Sequence, residues 1–260
     1  MSGRNDGNDR TETLRSQRTP YVLATVVRAE RPTSAKTGDR ALVLPDGTME
    51  GFVGGECAES AVRDQALRLL ASGESTLLRI TPGADSSPLD GMVTVSNPCL
   101  SGGTLDVFLE TVIPPALVTV YGDGPVARAL VDVGRAAGFD ARPAGTAEPP
   151  RPDAAAVVVA THGRDEEALL TAALRAGVPY VGLIAGRKRG AAVTASLEGG
   201  DRVRTPAGLD IGARTAPEIA LSVLAEILAR RPAREHAPEP APAPASREAD
   251  RPEGGGHCCG

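Results

Sequence analysis

The sequence predicts an α/β protein, in which a small N-terminal α+β domain precedes a Rossmann-like domain with a parallel sheet and a disordered C-terminal tail. Residues 117–138 have the pattern of a strand, a glycine turn and a helix, as at the start of a Rossmann domain. Pro114 and Pro115 form a stiff linker, because proline fixes its own φ and restrains the residue before it. Residues beyond 232 are rich in Pro, Ala and Glu and have no apolar periodicity. We therefore expect four segments: a disordered N-terminus over 1–19, the α+β domain over 20–113, the Rossmann-like domain over 116–232 and a disordered tail over 233–260.

Composition narrows the class of protein. The chain of 260 residues has a net charge of -5, which argues against a general nucleic-acid binder. Its longest apolar runs fall short of the roughly 20 residues that cross a bilayer, and its polar start does not resemble a signal peptide. We therefore expect no membrane span and a cytoplasmic location. The four cysteines do not have the spacing of a disulfide framework, so reduced thiols are expected.

The N-terminal domain is predicted from alternating strand and turn signals. Residues 21–28 are β-branched, and residues 40–53 form a hairpin around the Asp46-Gly47 turn. Gly54 and Gly55 then lead into a helix, because apolar residues recur at helical spacing until Ser72 and Gly73. Strands over 75–81 and 104–112 complete the domain, with a loop over 82–103 between them.

The second domain alternates strands and helices as βαβ units do. The expected elements are strands over 117–121, 154–161 and 179–185 and helices over 125–137 and 165–176. A closing helix is predicted by the capping box of Thr215 and Glu218, with Pro217 in its first turn.

Gly122, Gly124 and Ala127 fit the pattern G-x-G-x-x-A between the first strand and the first helix. Such glycines allow a tight turn and the close approach of a phosphate to the helix N-terminus. The acid that holds an NAD ribose about 20 residues later is missing, because the second strand, over 139–145, ends in Pro-Ala-Gly and Asp140 lies near its start. A phosphate site and a turn that serves packing alone both remain open.

Two further groups follow strands of this domain. His162 comes after the strand over 154–161 and should lie at the same sheet edge as the glycine turn, either as a functional or as a structural histidine. Arg187, Lys188 and Arg189 should occupy the first turn of a helix, where positive charges oppose the helix dipole. An anionic ligand explains them, and a solvated basic turn is the alternative.

The cysteines offer separate candidates. Cys99 lies in a segment where Gly102 and Gly103 expose backbone N–H groups that can surround an anion beside the thiol. Cys57 begins a helix, where the dipole lowers a thiol pKa, although a buried apolar role is equally compatible with it. The chain ends in His257, Cys258 and Cys259, a ligand set that suits copper(I) or zinc, or else an unused tail.

Together these motifs resemble the XdhC/CoxI family of accessory proteins for molybdenum hydroxylases, over about residues 21–231. The resemblance rests on the order and spacing of many segments. They are the Asp46-Gly47 hairpin, residues 54–59 and 99–103, the glycine turn, Thr161-His162, residues 180–189 and residues 208–213 with the helix that follows. Residues 33–39 and the basic turn look closer to the carbon monoxide dehydrogenase branch than to the xanthine dehydrogenase branch.

The resemblance implies a chaperone that binds molybdenum cofactor of the molybdopterin type and assists its sulfuration and its insertion into an apo molybdenum hydroxylase subunit. It implies cofactor contacts from the basic turn, from Asp210 and from the glycine turn, with Cys99 and His162 as candidate catalytic residues. A bound nucleotide, a cysteine desulfurase partner, a homodimer and copper or zinc at the tail are further expectations. The chain departs from the family at the end of the second Rossmann strand, where the family commonly has an acid, and at Glu56, where the family has glycine.

Two other classes of function remain as alternatives. An NAD(P)-dependent oxidoreductase is favoured by the glycine turn and disfavoured by the missing acid. The second alternative is a scaffold protein whose Rossmann domain has lost its ligand.

Overall fold

The computed structural model describes residues 6–82, 91–96 and 103–231, which form two sheets with their helices. The first part contains α1 Asp6–Ser16, β1 Tyr21–Glu30, β2 Arg40–Val43, β3 Met49–Gly51, α2 Glu56–Ser72, β4 Thr76–Thr81, β5 Met92–Ser96 and β6 Thr104–Val112. The second part contains β7 Leu117–Tyr121, α3 Pro125–Ala136, β8 Asp140–Ala144, β9 Ala154–Val159, α4 Glu166–Arg175, β10 Tyr180–Leu183, α5 Arg187–Ala195, a 3-10 helix Gly200–Arg202, β11 Val203–Arg204 and α6 Ala216–Ala229.

The N-terminal sheet has the order β3-β2-β1-β6-β4-β5 and is antiparallel except between β4 and β5. The predicted hairpin and helix are both confirmed. Helix α2 buries Val62, Ala66 and Leu69 against the sheet, because these residues recur on one helix face. Gly73 ends α2 in the left-handed conformation, and its N–H donates to the carbonyl of Leu69.

The segment expected to be a disordered N-terminus contains a helix instead. Helix α1 carries Leu14, which is buried together with Tyr21 and Leu42. The guanidinium of Arg10 also donates two hydrogen bonds to the carboxylate of Glu50 on β3, at 2.7 and 2.8 Å. The polar composition of this segment concealed the helix, because one buried leucine and one ion pair are too few to give a periodic signal.

The loop expected over 82–103 is interrupted by a strand. Strand β5 pairs in parallel with β4, with Leu77 opposite Met92 and Thr81 opposite Ser96. It lies at the edge of the sheet and buries none of its side chains fully. A short, half-exposed edge strand has only a weak pattern in the sequence, which explains why the prediction missed it.

The Rossmann-like sheet is parallel throughout, with the order β11-β10-β9-β7-β8. Helices α3 and α6 pack on one face and α4 on the other, as the predicted βαβ alternation requires. The capping box of α6 is confirmed, since the Thr215 hydroxyl accepts from the Glu218 N–H and the Glu218 carboxylate accepts from the Thr215 N–H. The two-residue strand β11 was not predicted.

Arg18 joins the N-terminal segment to the Rossmann-like domain. Its guanidinium donates to the Asp140 carboxylate, to the Asp153 carboxylate at 3.0 Å and to the Pro115 carbonyl at 2.6 Å. Its side chain is only 10% exposed. The position of the second domain relative to the first is therefore fixed in part by a single buried arginine.

Candidate functional site

The candidate site lies at the carboxyl ends of β7 and β9, which are neighbours in the parallel sheet. The chain leaves β7 to form β8 on one side and then returns to form β9 on the other. The strand order therefore reverses between β7 and β9, and ligands of open α/β sheets bind in the crevice at such a reversal. The glycine turn and His162 both follow these strands, as the sequence predicted.

Gly122 has a packing role at this crevice. Its φ of +126° is a conformation that side chains rarely adopt, and a Cβ atom there would stand 2.4 Å from the carbonyl oxygen of Ala160. The Ala160 N–H also donates to the Tyr121 carbonyl at 2.7 Å. Close packing of the turn against the chain that leaves β9 therefore explains this glycine without a ligand.

Gly124, in contrast, faces His162. Gly124 is the N-cap of α3, and Pro125 takes the first helical position. A Cβ atom on Gly124 would lie 3.0 Å from Nε2 of His162. His162 and the glycine turn therefore lie at the same sheet edge, and the first turn of α3 has no side-chain cap within the described residues. Its N–H groups are thus available to an anion.

The turn that carries His162 is conformationally unusual. His162 and Asp165 both have positive φ, 55° and 54°, with Gly163 between them at 102°. Such left-handed residues cost on the order of 1 kcal/mol each and cluster at functional sites. The imidazole is exposed and is directed towards the glycine turn rather than into the core.

Thr161, the residue directly before His162, carries a buried polar atom at this crevice. Its side chain is buried, and its Oγ1 has no hydrogen-bond partner within the described part of the chain. Buried hydroxyl groups in folded proteins are nearly always hydrogen-bonded, so an orphan at a crevice indicates a missing ligand or water. A second orphan, Oγ1 of Thr205, follows β11 and faces Gly190 of α5.

The basic turn begins α5 as predicted, but its three cations differ in their surroundings. Arg189 pairs with the buried carboxylate of Glu166 and donates to the Ile184 carbonyl at 2.9 Å. Glu166 also accepts from the Gly163 N–H at 2.8 Å. Arg189 therefore holds the β10–α5 loop against the turn after His162, which is a structural role that the sequence did not indicate.

Arg187 and Lys188 are exposed at the start of α5, which follows β10, the neighbour of β9 in the sheet. Arg187 lies 3.6 Å from the carboxylate of Asp210, and both side chains are more than four-fifths exposed. The structure thus brings Asp210 to the basic turn. An ion pair this exposed is weak, so Arg187 can leave it for another anion at little cost.

Glu148 is a candidate residue that the sequence analysis missed. It follows β8, and its Oε1 accepts from the Gly145 N–H at 3.0 Å. Its carbonyl accepts from the Tyr121 hydroxyl at 3.0 Å, directly before the glycine turn. The structure therefore supplies a carboxylate beyond the end of the second strand, whereas the acid within the strand, Asp140, is at its start. Glu148 was missed in the sequence analysis because it lies in the loop after β8 and not at the end of the strand.

The remaining predicted residues belong to the N-terminal domain and the tail. Cys57 lies in the first turn of α2 with a half-buried side chain, and it forms no disulfide within the described ranges. Gly103 has a packing role, because a Cβ atom there would stand 2.2 Å from the Pro32 carbonyl oxygen. Cys99, Gly102, His257, Cys258 and Cys259 lie outside the described residues.

No three His, Cys, Asp or Glu side chains in the described ranges are grouped as metal ligands. Among the described helices, none is long and apolar enough to span a membrane.

Comparison with known proteins gives consistent matches over both domains. The model described as the XdhC and CoxI family matches residues 14–81, and the model described as the XdhC Rossmann domain matches residues 118–227. A curated relative, the uncharacterized protein YqeB of Escherichia coli K12, is 29% identical over an alignment of 248 residues that covers 82% of this chain and 44% of the relative. The chain thus spans less than half the length of that protein. A crystal structure described as a xanthine dehydrogenase from Bacillus halodurans has a TM-score of 0.42 and 19% identity, covering 89% of this chain and 97% of that one.

Proposed function

The chain belongs to the XdhC and CoxI family, and on that premise we propose that it is a maturation chaperone for a molybdenum hydroxylase, which binds molybdenum cofactor and assists its sulfuration and insertion. The observation that carries the proposal is the crevice between β7 and β9. At this sheet edge lie an exposed imidazole and, among the described residues, an uncapped helix N-terminus and an orphaned buried hydroxyl, and two exposed cations begin the helix after the next strand, β10.

The residues of the crevice fit a large anion. The N–H groups at the start of α3 and the side chains of Arg187 and Lys188 would hold phosphate or oxo groups, since both kinds of donor favour negative charge. Thr161 would donate its hydroxyl to the bound group and so satisfy the orphaned Oγ1. His162, directly over Gly124, would close the site on the turn side.

The cofactor, when bound, supplies the molybdenum centre and its phosphate-bearing pterin. Cys99 is the residue proposed to meet the molybdenum or sulfur end, because a thiolate is the protein ligand best suited to a soft centre. Arg189 and Glu166 act as positioning residues that hold the two loops of the crevice together.

The direct test is cofactor content after purification of the full chain from a molybdenum-replete host. We expect pterin and molybdenum to copurify with the wild type and to fall about tenfold or more in Arg187→Gln/Lys188→Gln, since each charge-assisted hydrogen bond contributes on that order. Arg15→Gln/Arg68→Gln, which removes two exposed arginines of the N-terminal domain, serves as the matched control. A wild type without pterin or molybdenum, under conditions where a known carrier retains both, would refute the proposal.

Cys99→Ala separates binding from sulfuration. We expect this variant to retain pterin but to deliver a cofactor that lacks its terminal sulfur, which leaves the recipient hydroxylase inactive. Measurement of cyanide-releasable sulfur on the delivered cofactor checks this step. Wild-type sulfur content with the variant would remove Cys99 from the mechanism and leave the binding proposal intact.

The tail is proposed to handle a soft metal ion, because His257, Cys258 and Cys259 together offer an imidazole and two thiolates. A chain truncated after Arg231 should then deliver a hydroxylase with less copper or sulfur than the full chain does. Equal metal and sulfur content after maturation by both chains would contradict this role.

A second candidate function, an NAD(P)-dependent oxidoreductase, is favoured by one observation. The carboxylate of Glu148 lies beyond the second strand, where Rossmann domains use an acid to hold the ribose hydroxyls. Tight NADH binding that is lost in Glu148→Gln, with turnover of a substrate, would support it. Retention of pterin without NADH binding would instead favour the chaperone.

A further inference from the structure

A second polar cavity lies away from the crevice, at the amino ends of β10 and β11. Its volume is about 410 Å³, within the range of ordinary ligand sites. Leu174, Val178 and Val181 contribute apolar atoms to its lining, but these side chains are buried and most of the lining surface is polar. Because the crevice lies at the carboxyl ends of the same sheet, the two sites occupy opposite edges of the domain.

Three arginines from separate elements converge on this cavity. Arg202 comes from the 3-10 helix, Arg204 from β11 and Arg230 from the residue that ends α6. Among the residues that the structure describes, no aspartate or glutamate lines the cavity. Like charges brought together in a concave site repel one another, so the arrangement needs a reason other than solvation of the individual side chains.

Glu226, the carboxylate that pairs with Arg230, already has other hydrogen-bond donors. Glu226 is buried and accepts hydrogen bonds from the Tyr180 hydroxyl at 2.8 Å, the Gly208 N–H at 2.8 Å and Arg230 Nε at 3.1 Å. It therefore balances Arg230 alone. The guanidinium groups of Arg202 and Arg204 form no hydrogen bond or ion pair within residues 6–82, 91–96 and 103–231. Arg202 and Arg204 thus bring two positive charges to the cavity that no described carboxylate pairs with.

We propose that this cavity binds a small phosphate ester, with the phosphate on Arg202 and Arg204. Guanidinium groups match phosphate oxygens in bidentate geometry, which favours phosphate over a simple halide. The volume exceeds that of a phosphate group alone, so the cavity has room for the organic part of the ester. The site is independent of the proposed cofactor crevice, because it shares no residue with it.

The tyrosines allow a direct test with the full chain. The protein has three tyrosines. Tyr180 lines the cavity, Tyr121 precedes the glycine turn, and Tyr21 is buried in the N-terminal domain. Incorporation of 3-fluorotyrosine gives one ¹⁹F resonance for each, assigned with Tyr→Phe variants. Titration with phenyl phosphate should shift the Tyr180 resonance saturably and leave the Tyr21 resonance in place.

Variants decide where the phosphate binds. We expect Arg202→Gln/Arg204→Gln to weaken phenyl phosphate binding about tenfold or more, whereas Arg15→Gln/Arg68→Gln and Arg187→Gln/Lys188→Gln leave the Tyr180 titration unchanged. Circular dichroism and thermal unfolding check that each variant folds, and the single variants Arg202→Gln and Arg204→Gln replace the double variant if it does not. No saturable shift at Tyr180, a shift confined to Tyr121, or unchanged affinity in the arginine variants would overturn the proposal.

Discussion

Nε2 of His162 lies 3.0 Å from the point that a Cβ atom on Gly124 would occupy, so the histidine and the glycine turn are in contact although 37 residues of chain separate them. Gly124→Ala should therefore crowd the imidazole as well as weaken the N-cap. We expect the free energy of unfolding to fall by about 1 kcal/mol in the wild type and by less in a His162→Ala background. A double-mutant cycle by urea denaturation measures the difference, and additive effects would show that the contact is absent in solution.

Gly122 and Gly138 provide a matched pair of glycines with positive φ. A Cβ atom on Gly122 would stand 2.4 Å from the Ala160 carbonyl oxygen, whereas Gly138 has open space around it. Gly122→Ala should destabilise the protein by about 3 kcal/mol or more, because backbone strain and a backbone clash add. Gly138→Ala should cost about 1 kcal/mol from strain alone. Equal effects in equilibrium unfolding would contradict the packing role of Gly122.

The basic turn should divide into one structural and two accessible cations. Arg189→Gln leaves the buried carboxylate of Glu166 without its charged partner, so we expect a loss of about 1–3 kcal/mol in the free energy of unfolding. Arg187→Gln, at an exposed pair, should leave stability unchanged within error. The double variant Arg189→Gln/Glu166→Gln should regain part of the free energy of unfolding that Arg189→Gln loses. Equal thermal unfolding of both single variants would argue against this division.

Thr161→Val tests the orphaned hydroxyl. Because Oγ1 has no partner within the described residues, its replacement by a methyl group of similar size should leave the protein as stable or up to about 1 kcal/mol more stable without ligand. Thr205→Val should behave in the same way. If the Thr161 hydroxyl binds the cofactor, only Thr161→Val should also lower the pterin content. A clear loss of stability in Thr161→Val would reveal an intramolecular partner.

The ion pair of Arg79 and Asp106 should govern part of the acid sensitivity. The hydrogen bonds from Arg79, at 2.7 and 2.8 Å, hold the pKa of Asp106 below its ordinary value, although burial opposes them. A lowered folded-state pKa contributes stability that is complete above about pH 4 and is lost as the pH falls through the lower folded value. The stability gap between the wild type and Asp106→Asn should therefore narrow between pH 5 and pH 2.

Urea denaturation across this pH range measures that gap. Asp64→Asn removes an exposed carboxylate from α2 of the same domain and is the control for net charge. A constant gap between the wild type and Asp106→Asn would show that the pair does not contribute to acid unfolding.

The fold was largely predictable because its signals are local. The strand, turn and helix around Gly122, the Asp46-Gly47 hairpin and the capping box of Thr215 each depend on a few adjacent residues. The α1 helix and β5 were missed for the opposite reason. Leu14 finds its partners Tyr21 and Leu42 only in the folded chain, and β5 exists by pairing with β4.

The sequence by itself determined which residue types are present at the sheet edge: two glycines, a histidine and three cations that follow parallel strands. Only the tertiary structure decided their roles. It assigned Gly122 to packing and Arg189 to Glu166, it brought Asp210 to the basic turn, and it placed the carboxylate of Glu148 beyond the end of β8. The physical reason is that helical and strand periodicity is encoded over a few residues, whereas an ion pair or a close backbone approach depends on segments that are distant in the chain.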